Sequence, residues 1–165
     1  MGVKKSLAGF AFVGCLLVAP LNALGADEHY TGYSAVDNKE IRWGTSTGTT
    51  KYTVERDHSI STWNALKKVN IAPDTASTIE DLSFFDFNSP STLLGYYVTG
   101  LAADTIGYNE YNFKTMAADE RKKTALHEMG HALGFGHHAA GIMQQGIKSM
   151  TTLDDHIKSD YNSLY

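Results

Sequence analysis

A single cysteine, Cys15, occurs in the 165 residues, so no disulfide can form within the chain. Stability must come from a packed core, helped where needed by a bound metal. No basic patch is visible and the formal net charge is −4, which argues against nucleic acid as a partner, because phosphate backbones need clustered Lys and Arg. Like-charge blocks, low-complexity tracts and internal repeats are also missing, which excludes tails, linkers and solenoids. The longest apolar stretch, residues 7–18, falls short of the roughly 20 residues a membrane-spanning helix requires.

What is present suits one globular domain. The length admits one ordinary domain rather than two. Hydrophobic residues at 42% and charged residues at 19% are the balance of a chain that buries a core. The first 25 residues stand apart. Lys4 and Lys5 precede the apolar stretch, Pro20 and Asn22 interrupt it, and Ala23-Leu24-Gly25-Ala26 follows. That layout predicts a signal peptide over residues 1–25, cut after Gly25 or Ala26, with a secreted, extracellular domain over residues 26–165. No stable membrane insertion is expected after the cut. Val13-Gly14-Cys15 faintly resembles a lipoprotein processing site, but Phe12 and the apolar residues beyond the cysteine argue against lipidation. Cutting removes Lys4, Lys5 and Cys15, leaving a more acidic domain without cysteine.

Within that domain, residues 26–38 read as a polar, extended segment. Ile41-Arg42-Trp43 has strand character and ends in a Gly, Ser and Thr run. Ile60, Trp63, Leu66 and Val69 fall three apart, predicting a helix over residues 53–69 that Pro73 closes. Residues 78–87, 92–98 and 106–113 read as strands. A second helix is expected to start between Thr115 and Asp119, carry acids in its first turn, and run to Leu133 before Gly134. A last helix is expected after Thr152, with Asp155 completing a capping box and Leu153, Ile157, Tyr161 and Leu164 forming its buried face. The order predicts a mixed α/β domain with one sheet backed by helices.

The chemistry concentrates in residues 127–137, His-Glu-Met-Gly-His-Ala-Leu-Gly-Phe-Gly-His. Helical positions four apart share a face, so His127 and His131 can aim two imidazoles at one point. A hydrolytic zinc site uses three protein ligands and keeps one position for water. Gly134 can take the left-handed conformation that ends a helix, and the reversed chain then brings His137 back as the third ligand. Glu128 sits beside the first ligand, where a carboxylate can serve as general base to a zinc-bound water whose pKa falls from about 15.7 to about 7. Chance scatter would produce such a pattern with a probability on the order of 10⁻⁴ or less.

His-Glu-x-x-His-x-x-Gly-x-x-His resembles the zinc signature of the metzincin metallopeptidases. Gly141-Ile142-Met143 lies where that group places a structural Met-turn, so the resemblance implies that Met143 forms the floor of the site. Among metzincins the chain looks most like a bacterial matrixin-type catalytic domain. The resemblance implies an α+β, metzincin-like (zincin) fold: one twisted, mostly parallel sheet with an antiparallel edge strand, backed by two helices, plus a small C-terminal helical subdomain. It also implies a monomeric endopeptidase that lays a protein or peptide substrate along an edge strand at residues 94–98.

The chain departs from the family at several positions. Gln145 stands where astacin-type and serralysin-type members carry a tyrosine. His138 replaces the serine usual in matrixins and is a rival for the third ligand. Gln144-Gln145-Gly146-Ile147 replaces a proline-containing wall, so a specificity pocket does not carry over. The family's histidine-rich loop for a structural zinc is missing, and His29, His58 and His156 are read as solvated or packed. Ca2+ is weakly supported at Asp104, Asn109 and Glu110. Two other functions share the motif: a zinc-binding module without turnover, and a zinc amidase acting on cell-wall peptides.

Overall fold

Ile41 and Trp43 lie two apart and so share one face of β1 (Glu40–Gly44), the strand from which the sheet of this computed structural model is built outward. Residues 29–165 are described. The leader read over residues 1–25, with Cys15, lies outside the described residues. After β1 come α1 (Thr53–Asn64), β2 (Asn70–Pro73), β3 (Leu82–Phe87), β4 (Gly95–Val98) and β5 (Asp104–Asn109). The helices α2 (Glu110–Phe113), α3 (Ala118–Ala132) and α4 (Asp155–Leu164) follow. The result is a mixed α/β fold with a five-stranded sheet in the order β2-β1-β3-β5-β4. All neighbours pair in parallel except β4, which runs antiparallel to β5 at the sheet's edge. Among the described residues no helix is long and apolar enough to cross a membrane.

Helices α1 and α3 pack against each other, α1 reaching β2 and α3 reaching β5 and β4. Ile41, Leu82, Phe84 and Ile106 from the sheet meet Trp63 of α1 and Leu126 and Met129 of α3, all essentially inaccessible to water. Each such side chain stabilises the fold by about 1.5–3 kcal/mol relative to leaving it exposed. Trp63 also places its indole N–H 3.1 Å from the Leu126 carbonyl, so its polar atom is satisfied inside the core. Its ring stacks on Phe135 at 5.7 Å.

The strands expected to start at residues 78, 92 and 106 start at Leu82, Gly95 and Asp104, and four further differences from the sequence expectation each have a local reason. Helix α1 stops at Asn64 rather than Val69, because Lys67 takes a positive φ of 66° and the Asn64 side chain bonds both N–H and C=O of Ile71 at 2.8 Å. Val69 therefore leads into an unforeseen strand, and Pro73 ends that edge strand, where its missing N–H costs little. Residues 110–113 form one helical turn instead of extending the strand, because the Asn109 side chain accepts the Tyr111 N–H. Asp154 rather than Thr152 caps α4, accepting the Ile157 N–H at 3.1 Å. Of its expected apolar face, Leu153 just ahead of the helix is buried with Ile157 and Tyr161, whereas Leu164 is exposed.

Candidate metal centre

Helix α3 is firmly begun and sharply ended. The Glu120 carboxylate accepts the Ala117 N–H at 2.8 Å, and Asp119 joins it in the first turn, where negative charge suits the helix dipole. Lys123, His127 and His131 follow at intervals of four, which sets all three on one face. At the far end Gly134 has a φ of 89°, a conformation L side chains rarely adopt, and its N–H bonds the His131 carbonyl at 2.9 Å. The chain then reverses. Residues 29–35 run along this reversal, pairing Thr31 N–H with Gly134 O, Ala35 N–H with Ala132 O and Gly136 N–H with His29 O at 2.8–3.1 Å. So fixed, the loop brings the His137 ring to 4.8 Å from His131 and 5.3 Å from His127, centroid to centroid.

The protonation pattern of the helical pair follows from its partners. His127 Nδ1 lies 3.0 Å from the Ile142 carbonyl and His131 Nδ1 lies 2.7 Å from the Phe135 carbonyl. A carbonyl only accepts, so both Nδ1 atoms carry protons and both Nε2 atoms present lone pairs. Those Nε2 atoms face each other at 3.2 Å. A proton between them would make one ring an imidazolium, and burial opposes that. Burial holds His127 well below the usual histidine range, with Lys123 and His131 adding to the effect, and brings His131 down to about 4. Two lone pairs at this separation match one edge, about 3.3 Å, of a tetrahedron of imidazole nitrogens 2.0–2.1 Å from a cation. His127, His131 and His137 form a group that could hold a metal ion.

The floor is a turn over residues 141–144, closed by a bond from Gln144 N–H to Gly141 O. Ile142 N–H bonds the Asp154 carboxylate at 2.9 Å, and the Met143 carbonyl accepts the His138 N–H at 3.1 Å. Met143 is fully buried beneath α3, where Gly130 leaves room for its sulfur: a Cβ at that position would overlap it.

Glu128 is buried yet lines a cleft of about 570 Å³ together with the three histidines. Among the described residues no ion pair engages it. Burial pushes its carboxyl up to about 8, with Lys123 pulling the other way. Across the cleft stands β4, and a Cβ at Gly95 would come within 3.1 Å of Glu128 Cγ. The wall nearest the carboxylate is therefore main chain.

No family model and no curated protein matches this chain.

The site rests on the geometry of its own residues, and one of them escaped sequence reasoning. Lys123 is almost fully buried, lines the cleft and donates to the Gln144 carbonyl, tying α3 to the residue after Met143. Burial lowers its ammonium to about 8, with Glu128 opposing. The signal was its spacing of four from His127.

Other sequence expectations resolve differently. His138, the rival third ligand, joins His29 and His156 instead, with ring centroids 4.9–5.0 Å apart. His58 lies 2.9 Å from the Thr151 carbonyl. The proposed Ca2+ residues are not brought together: Asp104 and Asn109 occupy opposite ends of β5. Asp104 accepts from Tyr97 and Gly100, Asn109 binds Ser89 and Leu93, and Glu110 pairs with Lys51.

Proposed function

We propose that this chain is a secreted, metzincin-like zinc endopeptidase whose ion is held by His127, His131 and His137. The observation that carries the reading is the pair of Nε2 lone pairs turned on each other at 3.2 Å beside an unpaired, buried carboxylate in an open cleft. Three imidazoles with a position left for water suit zinc. Zinc bound there supplies a Lewis acid that acidifies water and polarises a carbonyl.

The protein's own groups do the rest. The Ile142 and Phe135 carbonyls fix the tautomer and angle of the two helical imidazoles. Glu128, whose raised carboxyl pKa the positive charge of a bound ion would bring down, accepts a proton from the attacking water at a carboxylate oxygen and returns it to the departing amine. A substrate strand pairs with the free main-chain edge of β4, which lies along the cleft, so recognition runs through backbone hydrogen bonds. Gly95 keeps that edge free of side-chain bulk opposite the acid.

The test is cleavage of casein or a peptide library by the purified domain, with and without chelator, followed by zinc restoration. Chelation that leaves cleavage intact sinks the reading. Lack of peptide hydrolysis with digestion of cell-wall peptides would assign the same chemistry to an amidase.

A further inference from the structure

The geometry points to a second metal site, built by His29, His156 and Asp160 with His138 closing it. One carboxylate oxygen, Asp160 Oδ2, has three imidazole nitrogens around it: His29 Nδ1 at 3.0 Å, His156 Nε2 at 3.6 Å and His138 Nε2 at 3.8 Å. The three rings stand 4.9–5.0 Å from one another, centroid to centroid. Ligand atoms of His29, His156 and Asp160 all lie within 4.8 Å of one another.

Three charged rings around one oxygen would repel one another, and neutral rings gain little from converging on it. A divalent cation at the centre reconciles them. The nitrogen-to-oxygen spacings bracket the edge of about 3.3 Å expected for a tetrahedral zinc site with bonds of 2.0–2.2 Å. Three imidazoles and one carboxylate are a donor set for zinc or a neighbouring borderline metal rather than for calcium or magnesium, which take oxygen ligands.

With the buried His138 Nε2 3.8 Å from the carboxylate beside the three converging ligands, protein crowds the remaining position, the form of a structural rather than a hydrolytic centre. Its ligands come from three segments. His29 lies on the stretch laced along the loop after α3, His138 follows His137 directly, and His156 and Asp160 are one turn apart on α4. The ion would clamp these segments together and hold the loop that delivers His137. This inference is independent of catalysis at the first centre.

Zinc bound per chain, measured by elemental analysis after equilibrium dialysis of the full chain against excess Zn2+, tests it. The expected result is two equivalents in the wild type, one in His156→Ala and one in His131→Ala. His156 is half exposed, so its truncation leaves the core untouched. One equivalent in both wild type and His156→Ala overturns the second site and leaves the proposed function standing. A single equivalent that survives His131→Ala and disappears in His156→Ala supports the second site and removes the first. A measurement on the unaltered protein guards against misfolded variants: the rate at which diethyl pyrocarbonate modifies His29 and His156 should fall at least tenfold when zinc is added. Unchanged rates at saturating zinc would overturn the site.

Discussion

His137 and His138 are neighbours in the chain, yet they belong to histidine clusters assembled in opposite ways. In the first cluster a single helix sets two imidazoles by its own periodicity, and buried carbonyls fix both tautomers before any ion arrives. The second cluster gathers side chains from three segments, with His29 and Asp160 standing 131 positions apart, and its His29 and His156 rings are partly open to water while His138 is buried. The difference teaches what each needs from the fold. Two of the first site's three imidazoles are set as soon as α3 forms and the third waits on one loop, whereas a site spread over distant segments exists only once the whole domain has closed around it.

Four substitutions would break or sharpen that contrast. The largest effect is expected from Glu128→Gln, which keeps shape but removes the base. Peptide hydrolysis should fall by at least about 10²–10⁴-fold while zinc content stays level, as read by kcat/KM and elemental analysis. Full activity in that variant would end the assigned mechanism.

Next is Trp63→Ala, which removes the indole that bonds the Leu126 carbonyl and stacks on Phe135. A loss of about 3–5 kcal/mol in unfolding free energy is expected from denaturant melts. Zinc affinity at the first cluster should weaken with it, because that cluster shares the helix.

Gly130→Ala comes third. The added methyl must displace the Met143 sulfur, and overpacking of this kind costs about 1–3 kcal/mol. A melting temperature equal to that of the wild type would show that the turn beneath α3 is looser than described.

The smallest effect, and the one that joins the clusters, is expected from Asp154→Ala. That carboxylate caps α4, which carries His156 and Asp160, and also holds Ile142 in the turn beneath His127. Loss of such a cap costs about 1 kcal/mol. Burial raises the pKa of Asp154, but the Ile142 and Ile157 N–H groups outweigh it and leave the value below its ordinary 3.8. Its contribution is therefore complete above pH 3.8 and disappears as the pH falls through the lowered value. Acid melts should show the wild type and the variant converging at low pH. A constant gap down to the acid limit would refute the cap's ionic character.

These contrasts also explain what could be read in the residues. The spacing of His127 and His131, the reversal at Gly134 and the return of His137 are local matters, and periodicity with one glycine conformation suffices to foresee them. The mixed α/β class followed from the order of elements, and the antiparallel edge strand that the resemblance implied at residues 94–98 is found as β4. Strand β2 was hidden because Val69 continues a spacing of three that looks helical, while the Asn64 side chain that stops the helix reaches a partner seven residues on. The second cluster was hidden more deeply. His156 and Asp160 stand one helical turn apart, and nothing local announces that His29 and His138 will meet them.

The glycine at position 95 has a practical consequence. Since bare backbone rather than a side chain borders the acid, exchange of the neighbouring Tyr96 would, under the proposed function, leave proton transfer undisturbed. Under the proposed function, selectivity and turnover would be separable tasks, and a library varied along that rim would retune which peptides are accepted while Glu128 and the three histidines stay constant.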